Sequence, residues 1–287
     1  FFEPSTRTRI SFGASFNLLG GNVREITEVG SSSLAKGESL ADTAQVLSGY
    51  SDIIVLRHPE NGSVQKFADA SRVPVINAGD GSNEHPSQAL LDLYTIEKEL
   101  SLNNKNLDNL RIALVGDLKY GRAVHSLCKI LSKFSNVNMN LVSPGELRLP
   151  EDLLHQLNEA GVSVIQTENL EEGISGVDII YVTRVQEERF KNKEDANKYR
   201  GLLSLNQSIY TANCEPNTVI MHPLPRDSRS DANELDRDLY ENPNLAIFRQ
   251  ADNGVVIRMA IFALVLGVEN KILETAKSVN WKVGLSN

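Results

Sequence analysis

The chain has 287 residues, of which 41% are hydrophobic and 23% charged, a composition typical of a globular protein whose core can fill one large or two ordinary domains. Its formal net charge of −8 at pH 7 predicts repulsion of nucleic acid, and no uninterrupted apolar run is long enough to span a bilayer, so neither nucleic acid nor a membrane is an expected partner. The two cysteines, Cys128 and Cys214, lie far apart without a metal-ligand or redox spacing, which favours free thiols in a reducing, cytoplasmic compartment.

The run FFEPSTRTR at positions 1–9 places hydroxyls and arginines where a helix begins. Its first two residues look like the end of a strand, and the apolar spacing after Thr6 predicts a helix that closes at Gly20. Free backbone N–H groups and the positive end of the helix dipole favour an anion at such a start, and Arg7 can add a bidentate charged contact. The alternative interpretation is a Ser/Thr cap with solvated arginines.

Short β-branched runs alternate with helical patterns, which is typical of parallel α/β layers. Strands are predicted at residues 22–26, 52–56, 73–76, 111–115, 139–142, 162–165, 177–182 and 218–221. The polar segment Ser101–Asn109 divides them, so we expect two doubly wound domains, 1–100 and 101–250, each with a parallel sheet flanked by helices. The apolar helix Val255–Gly267 is expected to be buried by packing back on the first domain, which the segment 251–287 would complete.

Arginines recur just after the predicted strands. Arg57 follows one strand, Arg184 and Gln186 follow another, and Arg122 lies in the loop after a third. Ligands of open parallel sheets bind beyond the carboxyl ends of the strands, so these side chains are expected to line one cleft together with Arg7. Such a cleft could hold one phosphate and one or two carboxylates.

Two further segments carry polar groups at turns. The turn-rich loop Asn77–Gln88 enters a helix at Pro86 and presents His85 and Gln88 near the helix start. A neutral imidazole there can donate a hydrogen bond to a carbonyl without adding charge; the alternative is that His85 is only a helix cap. Further along, the two prolines of HPLP at 222–225 predict an extended turn whose free carbonyls could accept from an amino group.

Neither a nucleotide nor a metal is expected as a cofactor. The segment Val115–Arg122 follows a strand and opens a helix, but it lacks the glycine spacing of a dinucleotide site. The five histidines, at positions 58, 85, 125, 155 and 222, do not pair at metal-ligand spacing with one another or with the cysteines.

Six motifs, taken in chain order, resemble the carbamoyltransferase family over almost the entire chain. They are Ser5-Thr6-Arg7-Thr8-Arg9, Arg57-His58-Pro59, His85-Pro86-Ser87-Gln88, Lys119-Tyr120-Gly121-Arg122, Thr183-Arg184-Val185-Gln186 and His222-Pro223-Leu224-Pro225. Arg184 with Gln186, and Pro223 where the ornithine enzyme has a cysteine, resemble the aspartate type. The resemblance implies transfer of the carbamoyl group from carbamoyl phosphate to the α-amino group of L-aspartate, which gives N-carbamoyl-L-aspartate and phosphate early in pyrimidine biosynthesis.

The resemblance also implies roles for residues that would hold carbamoyl phosphate. These are Ser5, Thr6, Arg7, Thr8, Arg57, His85, Gln88 and Leu224. The first four would bind the phosphate, and Thr8, Arg57 and His85 would contact the carbonyl oxygen and stabilise the oxyanion. Gln88 and the carbonyl of Leu224 would hold the amino group.

The resemblance further implies that the two carboxylates of aspartate meet three side chains of this chain, Arg122, Arg184 and Gln186. Ser33 and Lys36 would reach into the site of a neighbouring subunit, so the resemblance implies a homotrimer with shared active sites. Glu3 is expected to bridge Arg122 and Arg189 when the domains close.

Two alternatives stay open at this point. The first is a carbamoyltransferase for another amino acid, which a comparison of aspartate with ornithine distinguishes. The second is a catalytically silent scaffold of the same fold, which an assay for carbamoyl aspartate distinguishes. Regulatory subunits, or fusion to other pyrimidine enzymes, are further partners that the sequence leaves undecided.

Overall fold

The computed structural model describes residues 2–3, 5–27, 37–81, 83–190 and 192–275. The α-helices in this part of the chain are α1 (Thr6–Leu18), α2 (Leu40–Ser48), α3 (Ser63–Ala70), α4 (Pro86–Ser101), α5 (Arg122–Leu131), α6 (Glu151–Glu159), α7 (Leu170–Ile174), α8 (Lys193–Ala196), α9 (Gln207–Asn213), α10 (Ile247–Val265) and α11 (Glu269–Thr275). The strands are β1 (Ile54–His58), β2 (Val75–Asp80), β3 (Arg111–Gly116), β4 (Asn138–Val142), β5 (Ser163–Thr167), β6 (Ile179–Thr183) and β7 (Val219–Met221).

The smaller sheet consists of β1 and β2, which run parallel with Ile54 beside Val75. Helix α3 crosses between the two strands and packs against both, as a parallel connection requires. Leu56, Val64 and Phe67 form a buried cluster between strand and helix. Burial of each such side chain stabilises the fold by roughly 1.5–3 kcal/mol, so this small core fixes the strand ends that reach the cleft.

The larger sheet has the order β5-β4-β3-β6-β7, and all neighbouring strands are parallel. Successive side chains of β3 face opposite sides: Ile112 and Leu114 enter one core cluster, whereas Ala113 and Val115 enter another. All four are fully buried, because helices cover both faces of the sheet. The carboxyl ends of β3 and β6 therefore lie side by side at the edge where ligands of such sheets bind.

The predicted fold class, an α/β protein with parallel sheets flanked by helices, is confirmed. The predicted strand ends are less accurate, because β1 covers Ile54–His58 rather than 52–56 and so includes Arg57 within its last residues. Thr183 likewise closes β6 instead of following it. Arg57 fits inside a strand because its guanidinium has two polar partners, the Ala78 carbonyl and the Glu3 carboxylate, which the strand pattern alone does not reveal.

The predicted strand at 22–26 is wrong, since these residues lie in neither sheet. All of them except Val23 are exposed, so sheet pairing would bury no apolar face there. Of the two residues predicted to end a strand, Phe1 lies outside the described residues. Phe2 belongs to no sheet, although its N–H donates to the Arg57 carbonyl at 2.9 Å.

The C-terminal helix α10 begins eight residues earlier than the predicted Val255–Gly267. It packs against α1 and α4, as expected for a helix returning to the first sheet. Phe262 is buried against α1, but Val256 and Leu264 are exposed, so the predicted packing is confirmed and the predicted burial holds for one face of the helix only. Its first turns were missed because they carry buried polar side chains such as Gln250, whose hydrogen bonds cross to α4.

The two cysteines are free thiols. Burial raises the pKa of Cys128 to about 12 and that of Cys214 to about 11, so both are protonated and unreactive at neutral pH. In the described part of the chain, no helix has the length and apolar character needed to cross a membrane.

Candidate active site

A cavity of about 690 Å³ lies between the two sheets. It is lined by most of the predicted site residues, namely Glu3, Ser5, Thr6, Arg7, Thr8, Arg57, His85, Gln88, Arg122, Arg184, Gln186, Arg189 and Leu224. The predicted Ser33 and Lys36 lie outside the described residues. The fold therefore brings together segments that are far apart in sequence.

One wall of the cavity is the start of α1. Ser5 occupies the N-cap position, but its hydroxyl makes no capping hydrogen bond, and the first turn contains no acidic side chain. The free N–H groups and the hydroxyls of this turn are thus open to an anion. The alternative of a simple Ser cap does not describe Ser5.

The two arginines of the opening run have different surroundings. Arg9 forms an ion pair with Glu25 at 2.6 Å, outside the cavity. Arg7 lines the cavity, where burial and the facing charge of Arg184 lower its pKa. Two guanidinium groups thus face each other from opposite walls, which favours a ligand with two anionic ends.

Arg57 and His85 converge at the centre of the cavity. Arg57 Nη1 lies 3.4 Å from His85 Nε2 and 3.4 Å from the Ala78 carbonyl. Burial, followed by the charge of Arg122, lowers the pKa of Arg57 to about 10, so it stays charged at neutral pH. The spacing of the two nitrogens allows both to contact one oxygen atom placed between them.

His85 occupies the N-cap position of α4, but its ring makes no capping hydrogen bond. Its backbone N–H donates to Ser126 Oγ at 3.1 Å, and Ser87 Oγ lies 3.5 Å from its Nδ1. Burial, with help from the charges of Arg57 and Arg122, holds the imidazole pKa well below 6.5. The ring is therefore neutral at physiological pH and can donate one hydrogen bond, as predicted for this position.

Glu3 is the common partner of three arginines. Its carboxylate lies 2.9 Å from Arg57 Nε, 3.2 Å from Arg122 Nη2 and 3.2 Å from Arg189 Nη2. Arg57 belongs to the smaller sheet, whereas the other two follow strands of the larger sheet. Glu3 therefore ties the two halves of the molecule together beside the cavity, with the Arg122 and Arg189 contacts that the family resemblance implies.

The loop predicted to begin at Asn77 begins after Asp80, because β2 runs to that residue. Gly79 near the end of β2 and Gly81 just after it allow this close approach. Gly79 has φ +134°, and a Cβ atom there would lie 3.3 Å from Arg57 Nη1. Gly81 has φ +55°, and its carbonyl accepts hydrogen bonds from both Arg122 and Arg189. A side chain at Gly81 would collide with Asn61, so the loop requires glycine at this position.

Arg184 is held by a carboxylate that the sequence analysis did not identify. Its guanidinium pairs with both carboxylate oxygens of Glu188, with Nη1 at 3.0 Å from Oε2, and Glu188 also lines the cavity. Burial alone would lower the pKa of Arg184, but the pair with Glu188, together with the charges of Glu234 and Asp227, outweighs burial and raises it. The spacing of four residues was the available signal, since such pairs are common on helical turns.

Asp117 is a second carboxylate that the sequence analysis missed. It follows β3, is fully buried, and accepts hydrogen bonds from the backbone N–H of Gln186 at 2.9 Å and of Tyr120 at 3.0 Å. Burial raises its pKa. Asp117 thus fixes the loop after β3 against the loop after β6, which places Gln186 at the cavity.

Two acceptors face the cavity from different elements. Gln88 is on the first turn of α4, and its Nε2 donates away from the cavity to Asp92 at 2.9 Å. Leu224 has φ +55°, and its N–H donates to His222 Nδ1 at 2.8 Å. In the part of the chain that the structure describes, no protein donor bonds the Leu224 carbonyl, so it is open to a ligand, as the proline pattern predicts.

Lys119 and His58 are motif residues that, like Arg9, lie away from the cavity. Lys119 is exposed and lies over the Tyr120 ring at 5.4 Å. His58 accepts from the Glu60 N–H at 3.1 Å and packs edge-on against Phe2. Both side chains therefore contact other residues of the chain and not the cavity.

A helix start, a guanidinium beside a neutral imidazole, and a second set of arginines across one cleft define a two-domain α/β enzyme for two small anionic substrates. The first part of the chain, residues 1–98, matches the carbamoyl-phosphate-binding domain of aspartate/ornithine carbamoyltransferases. Residues 108–265 match the aspartate/ornithine-binding domain of the same enzymes. The chain belongs to the aspartate/ornithine carbamoyltransferase family.

Individual relatives agree with this assignment. The aspartate carbamoyltransferase catalytic subunit of Cellvibrio japonicus is 66% identical over 281 residues, which are 98% of this chain and 83% of that protein. The catalytic subunit of Methanocaldococcus jannaschii aspartate transcarbamoylase matches in structure with a TM-score of 0.82 at 46% identity, over 93% of this chain and 84% of that one. Aspartate transcarbamoylase from Trypanosoma cruzi in complex with N-(phosphonacetyl)-L-aspartic acid matches with a TM-score of 0.80 at 38% identity, over 91% and 79% of the two chains.

Proposed function

We propose that this chain transfers the carbamoyl group from carbamoyl phosphate to the α-amino group of L-aspartate, giving N-carbamoyl-L-aspartate and phosphate, an early reaction of pyrimidine biosynthesis. The observation that carries the proposal is the pairing of two anion-binding walls in one cleft, the start of α1 on one side and Arg184 with Gln186 on the other. The aspartate carbamoyltransferase catalytic subunit that is 66% identical to this chain supports the same reaction.

Carbamoyl phosphate binds along the first wall. Its phosphate is held by the hydroxyls, N–H groups and guanidinium of the α1 start, that is by Ser5, Thr6, Arg7 and Thr8. Its carbonyl oxygen lies between Arg57, His85 and Thr8, and its amino group donates to Gln88 and to the Leu224 carbonyl. Every one of these groups lines the same cavity.

Aspartate binds along the second wall through Arg122, Arg184 and Gln186. A substrate carboxylate there competes with Glu188 for the guanidinium of Arg184, because Glu188 already occupies both of its Nη groups. We include Ser33 and Lys36 of a neighbouring subunit in this half of the site.

The chemistry needs positioning and electrostatics more than a side-chain nucleophile. The aspartate nitrogen attacks the carbamoyl carbon, a C–N bond forms, and negative charge develops on the carbonyl oxygen beside Arg57, His85 and Thr8. The C–O bond to phosphate then breaks, and the leaving phosphate accepts the proton that the amine loses. Atoms and charge balance without any further reactant.

The proposal extends to the domains and the assembly. The carbamoyl-phosphate domain comprises residues 1–100 with 251–287, and the aspartate domain comprises 101–250, a division supported by the two separate sheets and by the packing of α10 on α1. Glu3 with Arg122 and Arg189 closes the domains on each other. We place the enzyme in the cytoplasm as a homotrimer with shared sites, and its mass in solution with a bisubstrate analogue tests the trimer.

The direct test is an assay of the purified chain with carbamoyl phosphate and either aspartate or ornithine. We expect carbamoyl aspartate to form and ornithine to be inert, since the cationic side chain of ornithine would face Arg184 and Arg122. Product from ornithine alone would identify the other substrate type of the family. Absence of product with both amino acids would support the silent scaffold and overturn the proposal.

Arg184→Ala is expected to raise KM for aspartate roughly 10- to 100-fold, because a charge-assisted hydrogen bond to a carboxylate contributes roughly 1.5–3 kcal/mol. The affinity for carbamoyl phosphate should change little, since that ligand binds the opposite wall. Steady-state kinetics with each substrate varied in turn measures both. Arg148→Ala is the matched control, because Arg148 pairs with Glu168 at 3.1 Å on the exposed surface; an unchanged aspartate KM in the Arg184 variant would contradict the assignment.

A further inference from the structure

A buried carboxylate, Asp92, lies behind the cavity on α4 and receives three hydrogen bonds. Gln88 Nε2 donates to its Oδ1 at 2.9 Å, Gln250 Nε2 donates to the same oxygen at 2.6 Å, and the Tyr181 hydroxyl donates to Oδ2 at 2.7 Å. Asp92 is 0% exposed, so it cannot touch a ligand in the cleft directly. Its donors come from α4, α10 and β6, which makes it a contact point of both halves of the molecule.

The same carboxylate is connected to the second amino-group acceptor. Gln250 turns its other end, Oε1, to the N–H of His222 at 2.9 Å. His222 Nδ1 in turn accepts from the Leu224 N–H at 2.8 Å, so the turn that presents the Leu224 carbonyl is fixed against Gln250. One buried group therefore supports both Gln88 and the 222–225 turn.

We propose that Asp92 is a positioning residue that sets the orientation of the Gln88 carboxamide and its position relative to the Leu224 carbonyl. In this way Asp92 makes the site select an acyl phosphate that carries an amino group. This inference rests on the proposed function. An ionised carboxylate can only accept hydrogen bonds, so Gln88 must direct its NH₂ inward and its Oε1 toward the cleft. The cleft then offers two acceptors to the NH₂ of carbamoyl phosphate.

The surroundings of Asp92 bring its pKa close to neutral pH. Burial raises its pKa to about 6, against the opposing pull of the hydrogen bonds from Tyr181, Gln250 and Gln88 and of the Arg258 charge on α10. Cys128 on α5, near Tyr181, is a neutral thiol at these pH values. Above pH 6 the carboxylate is ionised and accepts only; below pH 6 it gains a proton, can donate to the Gln88 oxygen, and no longer fixes the carboxamide in one orientation.

Binding of two acyl phosphates to the Asp92→Asn variant tests the proposal. Carbamoyl phosphate carries the NH₂ that Gln88 would accept from, whereas acetyl phosphate has a methyl group in its place. We expect Asp92→Asn to weaken the binding of carbamoyl phosphate roughly tenfold. Without the carboxylate, the Gln88 carboxamide can turn over, so the ligand NH₂ loses a hydrogen bond to the Gln88 oxygen and faces the Gln88 NH₂ instead. Acetyl phosphate and inorganic phosphate should bind with less than a twofold change. Equal weakening of all three ligands, or no change in any, would overturn the proposal.

Thr95→Val is the matched control. Thr95 lies one helical turn further along α4, is fully buried, and accepts from Asn253 of α10 at 3.0 Å, so it makes the same kind of α4–α10 contact without touching Gln88. We expect this variant to bind both acyl phosphates like the parent enzyme. A tenfold loss specific to carbamoyl phosphate in Thr95→Val would assign the effect to helix packing and contradict the role of Asp92.

A second measurement needs no substitution. In the parent enzyme, the ratio of carbamoyl phosphate to acetyl phosphate affinity should fall as the pH is lowered through about 6, the pKa of Asp92. Both ligands are acyl phosphates, so protonation of phosphate affects them alike and cancels from the ratio. A ratio that stays constant from pH 5 to 8 contradicts the proposal. Formation of carbamoyl aspartate by the parent enzyme is measured separately, so failure of the inference and failure of the proposed function give different results.

Discussion

His85→Ala is expected to lower kcat by about 100-fold, the usual scale for loss of one oxyanion donor. The KM for carbamoyl phosphate should change much less, because the hydrogen bond strengthens only as charge develops on the carbonyl oxygen. The imidazole lies 3.4 Å from Arg57 Nη1, so its removal leaves this oxygen with the Arg57 guanidinium and Thr8 but without a donor from the imidazole. Initial-rate measurements with aspartate saturating separate kcat from KM.

Two controls distinguish this role from a structural one. The His85 ring makes no helix-capping hydrogen bond, so the melting temperature of the variant should not show the loss of a cap. His155→Ala makes the same change at an exposed histidine that lies 3.5 Å from Glu159, and its kcat should match the parent enzyme. A kcat within twofold of the parent for His85→Ala would remove His85 from the mechanism.

The pH dependence of the rate gives an independent check on His85. Burial and the neighbouring arginines lower its pKa well below 6.5, so the neutral ring persists from alkaline pH down past that value. We therefore expect that protonation of His85 does not lower kcat near pH 6.5, so the pH profiles of the parent enzyme and the His85 variant should have the same shape in this range. If kcat of the parent enzyme falls with a midpoint at pH 6.5 and His85→Ala removes this fall, His85 behaves as an ordinary, solvated histidine and the expectation is wrong.

The sequence was sufficient for those parts of the site that local patterns encode. The start of α1 is predictable because the hydroxyls and Arg7 precede an apolar helical repeat, and His85 because a turn-rich loop leads directly into Pro86. The position of Arg184 after β6 follows from the rule that ligands bind at the carboxyl ends of parallel strands. In each case the chemistry and the local structure are set by neighbouring residues.

The partners of these residues were less predictable, because long-range contacts leave no local pattern. Asp92 lies four residues after Gln88 on the buried face of α4, and that spacing is its only signal. Its remaining partners, Tyr181 and Gln250, come from distant elements. The strand predicted at 22–26 failed for the converse reason: in the described part of the chain, this segment belongs to neither sheet and to no core cluster, so its local β pattern alone does not make a strand.

Glu3→Ala is expected to lower kcat/KM for aspartate by about 100-fold or more. Breaking a buried ion pair typically costs about 3–5 kcal/mol, and the lower end of that range applies here because the Glu3 side chain is 19% exposed and solvent screens part of its charge. The substitution leaves three guanidinium groups, those of Arg57, Arg122 and Arg189, without their shared carboxylate. Arg122 then keeps its hydrogen bond to the Gly81 carbonyl but loses the ion pair that holds it at the aspartate side of the cleft. Glu3→Gln, which keeps the shape but loses the charge, should show most of the same loss.

The affinity for carbamoyl phosphate should not fall in Glu3→Ala. Glu3 is an anion 2.9 Å from Arg57 Nε, so its removal leaves more positive charge for the incoming acyl phosphate, and binding should be equal or stronger. Glu25→Ala is the matched control, since Glu25 pairs with Arg9 at 2.6 Å outside the cleft and should affect neither measurement. A general loss of structure would weaken the binding of both substrates. Loss of the bridge between the two walls should lower only kcat/KM for aspartate, because that step needs the two walls held together. Parallel weakening of carbamoyl phosphate and aspartate in the Glu3 variant would therefore exclude Glu3 as the group that closes the domains.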